Sequence, residues 1–163
     1  MRHGLDRIDL KILGALQSQA RMSNLELSQL VSVAPSTCLA RVQRLRDLGY
    51  IVNDVCVIAA SKLGPVLYTT LEITLESHNL KDHLRFEKAS SDIPEVIFAV
   101  KVSGRFDYLL VMTTPDMQHL SRLSDEMLDG ALGISKLVTV PVLDVAKGFA
   151  GFPLEILHPG VPA

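Results

Sequence analysis

An α+β fold in two parts is predicted, a helix-turn-helix unit followed by a ferredoxin-like βαββαβ unit, and three features of the sequence predict it. Apolar residues recur at helical spacing in three short segments within residues 5–52. The order strand, helix, strand, strand, helix, strand follows over residues 66–147. Charge divides between the parts: residues 1–52 carry seven Lys/Arg against four Asp/Glu, a net of +3, and residues 53–163 carry nine against fourteen, a net of −5. A basic unit fused to an acidic one fits one surface that faces nucleic acid and another that faces something else.

The elements follow in order. Leu5, Ile8, Ile12, Leu13 and Leu16 share a helical stripe, with Asp6 and Asp9 in the first turn, where the helix dipole favours them. Ser23 and Glu26 form a capping box that opens a second helix carrying Leu25, Leu27 and Leu30 to about Val31. Ser32-Val33-Ala34 is the only break before Pro35, whose missing N–H suits the first turn of a third helix. Gly49 stops that helix after about Leu48. Residues 53–65 make a connection with a short strand at Val55, Val57 and Ile58, closed by Gly64-Pro65. Beyond it, residues 66–75 read as a strand, and residues 80–89 as a helix with Leu80, Leu84 and Phe86 apolar. Strands at 96–102 and 108–114 flank a hairpin connection at 103–107. Residues 116–128 form a helix whose apolar face holds Met117, Leu120, Leu123, Met127 and Leu128. Residues 134–145 supply the last strand, where Pro141 requires an edge or a bulge. The tail, 148–163, holds three prolines and three glycines and is expected to be irregular.

Composition narrows the function. The chain of 163 residues is 48% hydrophobic, enough to bury a core. It has no apolar run of about 18 residues, so no membrane-spanning helix and no membrane partner are expected. Residues 1–9 lack the apolar stretch of a secretory signal, which points to the cytoplasm. Cys38 and Cys56 are too few for a disulfide framework or a zinc site. His3, His78, His83, His119 and His158 are scattered, and no phosphate loop, GxSxG or HExxH is present. No catalysis, cofactor or metal is expected.

The third helix carries the chemistry. At about 100° per residue, Cys38, Val42 and Leu45 share one face, with Leu39 beside them. The opposite arc holds Ser36, Thr37, Ala40, Gln43, Arg44 and Asp47, with Arg41 at its border. A major groove rewards such an arc: hydroxyls reach phosphates or base edges, Gln pairs with adenine, Arg with guanine, and Ala touches a thymine methyl. Backbone amides at the helix start add an anion site. Three amphipathic helices also occur as interaction modules, so the pattern alone leaves that alternative open.

Several motifs resemble one family. Leu5-Asp6-Arg7-Ile8-Asp9, Arg21-Met22-Ser23-Asn24-Leu25-Glu26-Leu27-Ser28, Pro35-Ser36-Thr37-Cys38-Leu39-Ala40-Arg41-Val42-Gln43-Arg44-Leu45 and Gly49-Tyr50-Ile51 are similar to the head of the Lrp/AsnC, or feast/famine, regulators. Leu71-Glu72-Ile73-Thr74-Leu75, Val102-Ser103-Gly104-Arg105-Phe106-Asp107-Tyr108-Leu109-Leu110 and Pro115-Asp116-Met117 resemble its C-terminal domain. The likeness spans residues 5–147. Three positions depart from it: Ser32 stands where Gly is usual, Ala40 where an acid is common, and Asn53-Asp54 where Gly-Tyr is common.

The resemblance implies a winged-type helix-turn-helix that binds double-stranded DNA through Asn24, Ser36, Thr37, Ala40, Arg41, Gln43 and Arg44. It implies a regulator of transcription whose C-terminal domain takes a small effector, typically an amino acid, between subunits. The response positions it carries over are Ser103, Gly104, Asp107, Met117 and Thr139. The residues have their own logic there: Gly104 permits positive φ or close approach, turn amides can hold a carboxylate, and Asp107 can hold an ammonium. A plain turn with Asp107 as a cap is the alternative. The resemblance further implies dimers, commonly building to octamers, at the nucleoid. Some family members are architectural proteins that wrap DNA with little sequence preference, which is the second functional reading.

Overall fold

The computed structural model describes residues 4–130 and 132–159, and the chain divides into two compact units, 1–58 with 147–163, and 59–146. The first three and last four residues of the two outer segments lie outside the described residues.

In the first unit, α1 (Arg7–Ser18) opens on a capping box. The Asp9 N–H donates to Asp6 Oδ1 at 2.9 Å, and the Asp6 N–H donates back to Asp9 Oδ2 at 3.0 Å. The predicted box of Ser23 and Glu26 opens α2 (Asn24–Leu30), and Pro35 begins α3 (Pro35–Asp47). Both α2 and α3 end in Schellman turns. In α3 the left-handed residue is Gly49, at φ +75°, with Gly49 N–H bonded to Arg46 O and Tyr50 N–H to Leu45 O. In α2 it is Ser32, at φ +57°, with Ser32 N–H on Gln29 O and Val33 N–H on Ser28 O. The position where glycine is usual thus carries a serine in the strained region. Ile12, Leu27, Val31, Cys38 and Leu45 form the core. Leu25, Leu30 and Leu39, counted as apolar-face residues from spacing, are exposed instead, because three short helices close around a narrower stripe than the wheel allots.

Two expectations in this unit are corrected. No strand forms at Val55, Val57 and Ile58, which are exposed and have no partner strand; a single 3-10 turn at Ala60–Lys62 follows. The tail is not wholly irregular: it contains a one-turn helix, α6 (Leu154–Leu157), and Gln17 of α1 bonds to Phe152 at both its N–H and its carbonyl.

The second unit is the predicted βαββαβ sandwich: β1 (Leu67–Leu75), α4 (Leu80–Ser91), β2 (Val96–Lys101), β3 (Tyr108–Thr114), α5 (Met117–Asp129) and β4 (Ile134–Pro141). The strands run antiparallel in the order β2-β3-β1-β4, so β4 is an edge and tolerates Pro141 at its end. Leu71, Ile73 and Leu75 alternate into the core with Leu110 and Met112, under Phe86 of α4 and Met127 of α5. Register places Thr70, Glu72, Val111, Leu109, Val138 and Val140 on the opposite face, away from the α4 and α5 layer of this unit. In α4 the buried stripe is His83, Phe86 and Ser90, and Leu80 and Leu84 face solvent. On that face Phe86 enters the core, and His83 Nδ1 lies 2.8 Å from the Tyr108 hydroxyl on β3.

Candidate nucleic-acid interface and effector hairpin

α3 is held by Cys38 and Leu45, both fully buried, and burial pushes the Cys38 thiol up. Cys56 is exposed; both cysteines are free. With that face fixed, Ser36, Thr37, Ala40 and Gln43 stand exposed along one side of the helix, as the wheel predicts. Gln43 Nε2 donates to Asp47 Oδ1 at 2.8 Å. Asn24 serves the turn: its Nδ2 donates to the Pro35 carbonyl at 2.9 Å and ties α2 to the start of α3.

The two arginines differ from the free outer-arc side chains that the wheel describes. Arg41 Nη1 lies 2.6 Å from Asp6 Oδ2 and 2.9 Å from Asp9 Oδ1, and Arg44 Nη2 lies 2.5 Å from Asp9 Oδ2. Asp9 has a side chain with no solvent exposure, so both its oxygens are spent between the capping amide and two guanidinium groups. Partial burial pushes the Asp6 carboxyl up, but the Asp9 N–H and the Arg41 guanidinium outweigh it and hold the group below the ordinary carboxylate range. The same carboxylates raise Arg41. Gly4, Asp6, Thr37, Ala40, Arg41 and Arg44 border an open depression of about 400 Å³. Sequence reasoning found Asp6 and Asp9 only as first-turn acids. Their partners lie 32 to 35 residues away, and no spacing rule links them.

In the second unit, residues 103–107 turn between β2 and β3, closed by the Val102 N–H on Asp107 O at 2.9 Å. Asp107 is anchored twice to β1: its N–H donates to Ile73 O at 2.8 Å, and its Oδ2 accepts from the Leu75 N–H at 2.8 Å. Its other oxygen, Oδ1, lies 3.2 Å from His78 Nδ1, a neighbour that the motifs did not single out. Beneath the turn, Tyr108 donates to Glu87 Oε1 at 2.7 Å and meets His83, so its phenol is pushed far up, by burial first and then by Glu87. Gly104 uses neither freedom that glycine offers there. It is not in the left-handed region, and a Cβ there would meet nothing within 4 Å. A five-residue turn reverses the chain without the positive φ that a two-residue turn demands.

Ser103 is exposed beside Gly104. Met117 is the first residue of α5 and is exposed. Thr139 pairs with Leu71 on edge strand β4. Met117 is not brought to the turn within one chain. Tyr108 and Thr114 bound β3, so the turn and the start of α5 lie at its opposite ends, roughly 20 Å apart at about 3.4 Å per residue.

Residues 5–52 match the family model of winged helix-turn-helix DNA-binding, and residues 69–150 match that of the Lrp/AsnC ligand binding domain. The leucine-responsive regulatory proteins of Klebsiella pneumoniae and Escherichia coli K12 are 36% identical over 143 residues, covering 88% of this chain and 87% of theirs. A transcriptional regulator of Neisseria meningitidis, solved as its L-Met complex, aligns with a TM-score of 0.87 at 28% identity, over 94% of this chain and 99% of that one. An AsnC family regulator from Agrobacterium tumefaciens aligns at 0.84 and 25% identity, with 94% and 99% covered.

Proposed function

The chain belongs to the Lrp/AsnC family of DNA-binding transcription regulators, and from that premise we propose that it reads specific operator sequences through α3 and answers to a free amino acid. The observation that carries the reading is the exposed row Ser36, Thr37, Ala40 and Gln43 on a helix whose other face is locked into a core. Such a row presents hydroxyls, an amide and a methyl to a major groove. Arg41 and Arg44 contribute from positions set by Asp6 and Asp9, with phosphates as the natural competitors for their remaining donors.

For the effector, the turn offers exposed backbone at Ser103 and Gly104 for a carboxylate and the Asp107 carboxylate for an ammonium. Met117 of a second subunit completes the site, because a single chain holds it at the far end of β3 from the turn, and Thr139 joins it from β4. That arrangement calls for at least a dimer, paired through the uncovered sheet face, with larger rings up to octamers built on it. The L-Met complex of the Neisseria meningitidis relative supports the amino-acid class.

The test is a thermal-shift screen of free amino acids, followed by operator gel shifts with the ligand it finds. A ligand that binds only the folded state raises stability by RT ln(1 + [L]/Kd). Asp107→Asn keeps an acceptor for the Leu75 N–H and removes the charge. It is expected to fold like the parent, to lose the ligand shift, and to keep ligand-free DNA binding. A parental ligand shift in Asp107→Asn overturns the ammonium assignment and leaves Asp107 as a cap.

A further inference from the structure

α1 has two packed faces. One carries Asp9 and Ile12 into the three-helix core; the other, with Arg7, Leu10, Lys11, Gly14 and Gln17, meets the C-terminal tail. Gln17 fixes the tail there, donating from Nε2 to the Phe152 carbonyl at 3.0 Å and accepting from the Phe152 N–H at 2.9 Å. Gly151 makes that approach possible: its φ is +99°, and a Cβ would lie 2.7 Å from Gln17 Cδ. On the helix, Gly14 leaves room for Leu154, whose Cδ1 is 3.9 Å from where a Cβ would stand.

Between helix and tail a groove of about 390 Å³ remains, within the usual size of small-ligand pockets, about 300–1,000 Å³. Its walls are aliphatic: Leu10, Gly14, Leu154 and Ile156. Arg7 and Lys11, one helical turn apart, line the same groove against the single acid Glu155. Among the described residues neither cation has an ion-pair partner. An apolar trough with two uncommitted cations on one side matches a molecule that is apolar at one end and anionic at the other.

We propose that this groove binds a small apolar carboxylic acid, with its chain against Leu10, Gly14 and Leu154 and its carboxylate between Arg7 and Lys11, and that the bound acid fastens the tail to α1. A neutral molecule of the same shape leaves the two cations without an anion. An amino acid of the same length sets its ammonium beside them, so the groove discriminates against the ligand class proposed for the turn at 103–107.

The probe is octanoate, titrated calorimetrically into the full-length protein, with octan-1-ol and 2-aminooctanoate as comparisons and amide chemical shifts as the map. Octanoate is expected to bind with a Kd of about 0.1–1 mM. Shifts should concentrate in residues 7–17 and 151–157. Both comparison molecules should bind at least about fivefold more weakly, near 1 kcal/mol. The double variant Arg7→Gln/Lys11→Gln should weaken octanoate by about tenfold, near 1.4 kcal/mol. Gly14→Leu should abolish binding by filling the groove, with the gain in helix propensity over glycine set against the displacement of Leu154. If Gly14→Leu does fold poorly, the charge variant decides. Absence of octanoate binding, equal affinity for 2-aminooctanoate, shifts at 103–107 instead, or indifference to the charge variant each overturn the proposal. A failed ligand screen at Asp107 would leave it standing, because the two sites share no residue.

Discussion

Asp9 does three jobs with one carboxylate. It closes the α1 capping box, takes Arg41 on one oxygen, and takes Arg44 on the other, with no solvent exposure. Breaking a buried ion pair from one side costs more than the pair contributes, because the remaining charge is stranded. Arg44 is partly exposed and Arg41 still serves Asp9 when Arg44 is gone, so the cost is discounted. Arg44→Ala is expected to lose about 1–3 kcal/mol of unfolding free energy in urea melts, besides weakening operator binding. Unchanged stability would mean that the pair contributes nothing and that Arg44 serves DNA alone. Asp6 adds a pH dependence. Its carboxyl titrates lower in the folded chain than in the unfolded one, so its contribution is complete above the ordinary carboxylate value, about 4, and is lost as pH falls below it. The melting temperatures of parent and Asp6→Asn should therefore differ at neutral pH and converge in acid. A gap that persists in acid shows that the charge of Asp6 is not its cause.

At the scale of the element, the turn between α2 and α3 is a Schellman motif whose left-handed position is filled by Ser32. Serine tolerates φ +57° at some cost, and a β-branched side chain tolerates it far less. Ser32→Val is expected to destabilise the protein by about 1–2 kcal/mol, and Ser32→Gly to be neutral or stabilising, measured by thermal melts. Equal melts for valine and glycine would show that the turn relaxes. The break at 32–34 was legible in the sequence, as were the capping box that opens α2, the Pro35 start of α3 and its Gly49 stop, because these signals act locally; the left-handed position at Ser32 came from the family likeness. The orientation of α4 was not legible. Leu80 and Leu84 are nominated for the core by hydropathy, yet both are exposed, and His83 is buried with Phe86, bonded to Tyr108 25 residues on. The strand at Val55 failed for the same reason: β-branched residues mark a strand only where a partner strand exists. The tail's docking on α1 rests on Gln17 meeting Phe152, 135 residues apart, which no local pattern announces.

For the whole molecule, the sheet of the second unit is finished on one face only. Thr70, Val111, Leu109, Val138 and Val140 lie on the face that no helix of this unit covers. Paired sheets would bury it, and Val111, on a central strand, would sit within the contact. Val111→Glu is expected to raise the dimer dissociation constant at least about tenfold, near 1.4 kcal/mol, giving a monomeric mass by light scattering at micromolar concentration. The effector response should vanish with it, since the proposed site needs two chains. An unchanged dimer would place the interface elsewhere. The coupling of Arg41 and Arg44 to α1 has a consequence for how such a regulator acquires new targets over generations. A change at either arginine leaves the carboxylate of Asp9 short of a partner, so it harms the scaffold before it alters recognition. Ser36, Thr37, Ala40 and Gln43 carry no such debt to the core. On the proposed reading of α3, drift toward a new operator would run through those four positions, and a change at either arginine would call for a matching change at Asp6 or Asp9.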